Sequence, residues 1–119
     1  MRAVVFLSLV VSIVCRLQAA EPCITIHGRA SLYSGDFQLR IWQVGTHHEF
    51  EPDESSWVRV LEWLNAGAGE SDKHQHSIPA STVYLFGDFL VCPVEPLKKG
   101  WVQHAEVKSV LHRRYVRIN

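Results

Sequence analysis

Apolar and polar residues alternate along two neighbouring stretches near the start of the chain, residues 24–33 and 37–46. In the first stretch the even-numbered positions are apolar or small, and in the second the apolar residues take the odd-numbered positions as far as Ile41. A period of two is typical of half-buried β-strands. The turn-forming residues 34–36 (SGD) between them predict a hairpin, and Gly28 predicts a bulge or a bend within the first strand.

The hydrophobic period changes to that of a helix after Pro52. Apolar side chains recur with the spacing of one helix face at Trp57, Val60, Leu61 and Leu64. The residues able to cap the start of this helix are Asp53, Ser55 and Ser56. The stretch 65–69 (NAGAG) ends the helix, with Gly67 predicted in the left-handed conformation that closes many helices. The pattern thus predicts one helix of about ten to twelve residues, with Trp57 in the core.

Two longer strands follow a polar, turn-rich loop at residues 70–81. The first covers the apolar run 82–94, with a bulge or bend predicted at Gly87 and Asp88. The second covers residues 101–118, where alternation again dominates and a break is predicted near Ser109.

A short strand across residues 46–51 completes an order of three strands, one helix and two strands. This order is that of a five-stranded OB-like barrel. It also fits a curved, open antiparallel sheet with one helix packed on a face. The predicted fold class is therefore α+β, mainly antiparallel β, and the pattern leaves open whether the sheet closes.

The segment 1–20 has the three-part pattern of a secretory signal peptide. A positive start precedes the apolar run Ala3–Cys15, which contains two serines, and small residues close the segment. The run is shorter than the roughly 20 residues that a membrane-spanning helix needs. We expect a secreted or periplasmic protein whose single small β-rich domain covers residues 21–119. An uncleaved N-terminal anchor is the alternative.

Two cysteines, Cys23 and Cys92, remain after this segment is removed. In an oxidising compartment an even pair predicts a disulfide bond. It would close a loop of roughly 70 residues and contribute about 4 kcal/mol in the chain-entropy model. A shared two-thiolate metal site and two buried thiols are the alternatives.

Two sequence runs resemble those of a group of small secreted bacterial proteins that have no known activity. The runs are IHGRASLYSGDFQLRIWQVGT, residues 26–46, and GDFLVCPVEP, residues 87–96. That group carries the similar motifs G-R-x3-Y-x-G-x4-R-I-W-x-V-G-T and G-D-F-x-V-C-P. The resemblance implies secretion and supports the pairing of Cys23 with Cys92, but it implies no catalytic residue.

Acidic and basic residues are concentrated in different parts of the chain. Residues 49–72 carry seven acids against one base, and residues 98–119 carry six bases against one acid. Without Arg2 and Arg16, ten basic and twelve acidic residues leave a formal charge of −2. The basic tail, which includes Tyr115, would suit single-stranded nucleic acid on an OB-like barrel, but secretion and the negative charge argue against that partner. An envelope protein or an anionic polymer is the partner expected instead. The favoured alternative is a solvated edge strand whose arginines block edge pairing.

The histidines are the candidate metal ligands. One of the adjacent pair His47 and His48 could combine with His74, His76 and Glu49, because imidazole suits zinc, copper and nickel. No fixed-spacing signature accompanies them, and solvated surface histidines are the alternative. A histidine-based metal-binding protein or metal-dependent hydrolase is therefore the second hypothesis, and a metal ion is the one cofactor it would bring.

The carboxylates before the helix do not predict an active site. They cluster on one polar segment, as Glu49, Glu51, Asp53 and Glu54, whereas acid–base catalysis needs two carboxyls in unlike environments. The chain also lacks a G-x-S-x-G nucleophile motif. No catalytic residue is predicted, and an enzyme is the less favoured reading.

A non-enzymatic binding module of the cell envelope is the first hypothesis. Trp42 falls on the polar, outward face of its predicted strand, two residues after Arg40. An exposed tryptophan beside an arginine would mark a binding patch on the outer face of the barrel. Four tryptophans in so small a protein can equally serve to cover a thin core. A structural protein with no small ligand remains the third possibility.

Overall fold

The structure, a computed structural model, describes residues 22–68 and 78–118. The predicted signal peptide and most of the predicted loop at 70–81 lie outside these residues. The elements in chain order are β1 (Ile24–Tyr33), β2 (Gln38–Gln43), β3 (Glu49–Pro52), α1 (Trp57–Ala68), a 3₁₀ turn (Pro79–Thr82), β4 (Val83–Pro93) and β5 (Gln103–Arg117).

The five strands form a closed barrel in the order β1-β2-β3-β5-β4. Strands β3 and β5 are parallel, and the other neighbours are antiparallel. The helix α1 stands between β3 and β4 in the chain, so the OB-like arrangement is confirmed. Closure decides between the two architectures that the sequence pattern left open.

The alternating positions of the strands supply the core of the barrel. Leu39, Ile41, Phe50 and Phe89 have no solvent-accessible surface, and they pack with the buried helix residue Leu64. Trp57, predicted as core, is partly buried and packs against the edge of this cluster. The polar parity of each strand is left on the outer surface of the barrel.

The start of α1 is tied to both its own cap and strand β5. The carboxylate of Asp53 accepts hydrogen bonds from the backbone N–H and the hydroxyl of Ser56, at 3.2 and 2.8 Å. The fully buried Ser56 hydroxyl in turn accepts the backbone N–H of Val107 at 3.0 Å, and Arg59 donates to the Val107 carbonyl at 2.7 Å. These side chains satisfy β5 where the short strand β3 has ended, as buried backbone groups require.

The predictions for three glycines have different outcomes. Gly87 is at a bulge, because the register between β4 and β5 shifts between Phe86 and Asp88. Of the bulge or bend predicted at Gly28, the bulge is wrong, because both strand pairings run through this residue without a shift. A Cβ at this position would lie 3.0 Å from the side chains of Ile41 and Phe89, which would have to move slightly to admit a larger residue. The left-handed closing residue predicted at Gly67 is also wrong.

Gly67 lies inside the last turn of α1, where the ring of Tyr115 occupies the space that a Cβ would need. The Tyr115 hydroxyl donates to the carbonyl of Trp63 at 2.8 Å. Close packing of the helix on β5 therefore explains this glycine.

Smaller differences concern the strand boundaries. The third strand begins at Glu49, later than predicted. Phe37 belongs to the hairpin turn, with a φ of 52° and an exposed side chain. The break predicted near Ser109 is a second register shift within one continuous strand β5.

A disulfide bond joins Cys23 to Cys92, as predicted, across a sequence separation of 69 residues. It links the segment just before β1 to the next-to-last residue of β4. Among residues 22–68 and 78–118, no helix has the length and apolar character of a membrane-spanning segment.

Candidate functional site

A row of arginine and aromatic side chains crosses the outer face of strands β2, β1, β4 and β5. Arg29 lies between Trp42 and Tyr84, with its guanidinium carbon 4.9 and 4.3 Å from their ring centroids. Tyr84 meets Phe86 edge-on, with centroids 6.5 Å apart. The guanidinium of Arg114 lies 4.7 Å from the Phe86 centroid. We call these five residues the arginine–aromatic strip.

Strand register explains why these residues meet. Arg29 of β1 is directly opposite Trp42 of β2 and Phe86 of β4, and Phe86 is directly opposite Arg114 of β5. Directly opposed side chains on one face of a sheet lie close enough to interact. Each pair also belongs to the outward parity of its strand, so the contacts form on the solvent side of the barrel.

The bulge opposite Gly87 decides which arginine joins the strip. Asp88 is opposite Leu111 and Phe86 is opposite Arg114. Two steps along β4 therefore correspond to three steps along β5. The inserted residue, with a φ of 56° at His112, exchanges the two faces of β5 beyond this point. Arg114 therefore lies over Phe86, while Arg113 lies 5.5 Å from the Trp63 ring on the helix side.

The two arginines of the strip are held by rings and not by carboxylates. Within the part of the chain that the structure describes, neither Arg29 nor Arg114 forms an ion pair. The Nε atom of Arg29 is buried without a hydrogen-bond partner. Cation–π contacts orient the guanidinium but leave its charge uncompensated, so both groups can still attract an anion.

The ring of Trp42 is fixed at the edge of an open cleft. Its indole N–H donates to the carbonyl of Thr46 at 2.6 Å. The cleft has a volume of about 350 Å³ and is lined by Arg29, Trp42, Thr46, His47 and Glu49. One end of the strip thus borders a space large enough for a small group of a ligand.

Asp88, two residues after Phe86 on β4, has a histidine on each side. Its two carboxylate oxygens are 2.8 Å from a ring nitrogen of His112 and 3.3 Å from one of His27. The hydrogen bonds from His112 and then His27 lower the pKa of Asp88 below its ordinary value. This acid near the strip is therefore already partnered.

A second polar group on the outer face joins β2, β3, β5 and the segment after β4. Glu51 accepts a hydrogen bond from Arg40, and its other oxygen is 2.6 Å from Nε2 of His104. The other ring nitrogen of His104 is 2.6 Å from Glu95, which also accepts the His104 backbone N–H at 2.8 Å. We call these four residues the carboxylate clamp.

The clamp shifts the pKa values of its members in opposite directions. The hydrogen bond to Glu95 and, to a smaller extent, that to Glu51 raise the pKa of His104 above 6.5 against the opposing effect of desolvation. The hydrogen bonds from the backbone and ring of His104 lower the pKa of Glu95. The arrangement favours a protonated histidine between two carboxylates.

Arg40 and Trp42, which were predicted to form a binding patch together, have different partners in the structure. Arg40 and Trp42 are both on the outer face of β2, but Arg40 is bound in the clamp and also donates to Gln38 at 2.7 Å. The guanidinium beside Trp42 is that of Arg29, which sequence reasoning missed. Strand parity places Arg29 on the outside, and only the β1–β2 register brings it to Trp42.

The described histidines of the predicted metal site do not converge. His47 is exposed in the turn before β3, whereas His48 contacts Gln103 through a ring nitrogen at 2.9 Å and stacks on Phe50. The other two, His74 and His76, lie outside the described residues. In the ranges that are described, no group of three or more His, Cys, Asp or Glu side chains is arranged to hold a metal ion.

Two of the four carboxylates before the helix, Glu51 and Asp53, have structural partners. Asp53 caps α1, as predicted, and Glu51 belongs to the carboxylate clamp.

Comparisons of the chain with family models, with curated proteins and with solved structures each find no match. The resemblance to small secreted proteins therefore stays a prediction, and function has to be inferred from the geometry.

Proposed function

We propose that this protein is a non-enzymatic binding module of the cell envelope, secreted or periplasmic, that holds an anionic polysaccharide on its arginine–aromatic strip. The observation that carries the proposal is the position of Arg29, whose guanidinium lies between two rings without a carboxylate partner among the described residues. A preoriented, uncompensated arginine is suited to a carboxylate or phosphate.

The rest of the strip supports a chain-like ligand more than a compact one. Three aromatic rings and two arginines follow one another across four strands. The strip can therefore contact both anionic groups and apolar faces of a ligand repeatedly along one direction. Aromatic rings offer flat apolar surfaces to a partner. OB-like barrels bind oligonucleotides and oligosaccharides on the face of their second and third strands and on adjoining loops, and the Trp42 end of the strip lies on β2. The polymer is proposed to be a saccharide because the disulfide bond suits an oxidising, extracytoplasmic compartment.

The test is titration of the protein with polygalacturonate, using dextran as an uncharged polymer of similar length. We expect binding of polygalacturonate that weakens as salt is added, since the contacts are between exposed charges. Arg114→Ala should reduce the affinity by about tenfold, the effect of losing one charge-assisted hydrogen bond.

Lys108→Ala is the control, because Lys108 is an exposed cation on the same strand outside the strip, where its amine lies 3.8 Å from the Glu106 carboxylate. It should bind as the unmodified protein does. Equal losses for Arg114→Ala and Lys108→Ala would show nonspecific charge attraction, and equal binding of dextran would remove the role of the arginines. Either result would overturn the proposal.

A further inference from the structure

A different surface, the loop that joins β4 to β5, carries a second inference. We propose that this loop, residues 94–102, docks on the surface of an anionic phospholipid bilayer. The loop shares no residue with the arginine–aromatic strip, although His47 lines hollows beside both, and the inference does not depend on the polysaccharide proposal.

The loop concentrates large apolar side chains in solvent. Val94 is 52% exposed, Leu97 is 55% exposed and Trp101 is 72% exposed. Trp101 is the most exposed of the large apolar residues in the described part of the chain. Scattered exposed apolar residues are common on protein surfaces, but several within one nine-residue loop favour an interaction site.

Basic groups surround the apolar residues of the loop. A hollow of about 430 Å³ between this loop and the turn before β3 is lined by His47, His48, Leu97, Lys98, Lys99, Gly100 and Trp101. The loop contains one acid, Glu95, which is engaged by His104 at the base. The tip therefore presents a positive charge that complements a surface of phosphate groups.

The tip is held in shape before any contact is made. The backbone N–H of Trp101 donates to the carbonyl of Lys98 at 3.0 Å, and Gly100 adopts a φ of 84° in that turn. At the base, the Gln103 side chain donates to the Glu95 carbonyl at 2.9 Å. Little conformational freedom would be lost on docking, which favours affinity.

The combination of residues favours a bilayer over a protein partner. Tryptophan is enriched where proteins meet the interfacial region of membranes, because its ring is apolar and its N–H is polar. Lysines beside it can keep their charges at the headgroup level while their stems lie against apolar groups. The contact would be peripheral, with a loop at the interface and no spanning segment.

The experiment is co-sedimentation of the full chain with lipid vesicles. One set of vesicles holds equal parts of phosphatidylglycerol and phosphatidylcholine, and the other holds phosphatidylcholine alone. We expect binding to the first set and weak binding to the second. Lys98→Gln combined with Lys99→Gln should reduce binding to the anionic vesicles by about thirtyfold, from the usual contribution of two lysines near such a surface.

Trp101→Ala tests the apolar part of the contact, and Lys108→Ala is the matched control outside the loop. The control should bind as the unmodified chain does, and any contribution of the apolar N-terminal run is common to all forms. The loop side chains are exposed, so thermal unfolding should be unchanged in every variant.

Three results would overturn the proposal. Equal binding to both kinds of vesicle would exclude recognition of anionic lipid. Unchanged binding in the Trp101 variant and in the double lysine variant would place the contact elsewhere. Failure of the unmodified chain to sediment with either kind of vesicle would leave a protein as the partner of this loop.

Discussion

The arginine–aromatic strip and the carboxylate clamp share the outer face of one barrel, but their arginines are satisfied in opposite ways. In the clamp, Arg40 is paired with Glu51, and its side chain is only 15% exposed. In the strip, Arg29 is held between the rings of Trp42 and Tyr84 and has no carboxylate partner among the described residues. The clamp neutralises its charge internally, whereas the strip keeps its charge available.

This difference indicates which region stabilises the barrel and which can bind. Removing one partner of a half-buried ion pair leaves the other partner unsatisfied and costs stability. Removing Arg114, which is exposed over the face of Phe86, costs little, whereas Arg29 is half-buried. A binding site on a small domain is therefore expected at the strip, where changes affect the ligand more than the fold.

The largest expected effect comes from opening the disulfide bond, which lies at the clamp end of the barrel. Cys23→Ala combined with Cys92→Ala should lower the free energy of unfolding by about 4 kcal/mol, because the bond closes a loop of about 70 residues in the unfolded chain. Chemical denaturation measures this change. Amide exchange should quicken more in the loop 94–102 than along the strip, since Cys92 leads directly into that loop.

Reduction of the unmodified protein is the control for this variant. A reducing agent should bring the unmodified protein to the stability of the double variant and leave the variant unchanged. Equal stability of the two proteins without the reducing agent would contradict the expected contribution of the bond.

The second prediction concerns the contribution of the carboxylate clamp to stability, which we expect to be smaller than that of the disulfide bond. Glu51→Ala removes the acceptor shared by Arg40 and His104, and we expect a loss of about 1–2 kcal/mol in the free energy of unfolding. Glu49→Ala is the matched change, because Glu49 has the same outward parity two residues earlier in β3. It should cost less than about 0.5 kcal/mol.

Arg114→Ala extends the comparison to the strip and should also leave stability nearly unchanged. Equal losses for Glu51→Ala and Arg114→Ala, measured by urea unfolding, would contradict the division between a stabilising clamp and a binding strip.

The smallest expected effect is the pH dependence of the clamp. The pKa of His104 is raised in the folded protein, so its contribution is present below its ordinary value of 6.5 and is lost as pH rises through the raised pKa. The pKa of Glu95 is lowered, so its contribution is present above its ordinary value of 4.5 and is lost as pH falls through the lowered pKa. Stabilisation by the pair is therefore greatest between pH 4.5 and pH 6.5.

The difference in Tm between the unmodified protein and His104→Gln measures this effect. We expect the difference to be largest within that window and to shrink on both sides of it. Arg114→Ala, which changes no group that titrates in this range, should give a Tm difference that does not follow this course. A His104→Gln difference that grew as pH rose above the window would contradict the proposed state of the histidine.

Local patterns in the sequence predict the elements of this protein because each element imposes its own period on the residues that face the core. Alternation identified β1, β2 and β5, and the helical spacing from Trp57 identified α1. The cap at Asp53 follows from local hydrogen bonding, and the pairing of Cys23 with Cys92 follows from their being the two cysteines left in the predicted mature chain. These features depend on neighbours in the sequence or on a choice between few partners.

Close packing between distant elements is beyond such patterns. Gly28 and Gly67 were assigned to a bulge and a helix end, since these are the commonest local reasons for glycine. Their actual reasons are contacts with Phe89 and with Tyr115, which are far away in the chain. No local pattern shows that a distant ring will occupy the place of a Cβ.

The candidate site was likewise decided by the tertiary structure. The sequence by itself determined that Arg29, Trp42, Tyr84 and Phe86 belong to β-strands and, through alternation in β1 and β2, that Arg29 and Trp42 face outward. The run 82–94 is apolar at nearly every position, so the pattern does not show which face Tyr84 and Phe86 occupy. Only the register between strands placed Arg29 against Trp42 and assigned Arg40 to Glu51, and only the bulge opposite Gly87 brought Arg114 outward. The physical reason is that parity is a property of one strand, whereas register is set by the closed barrel as a whole.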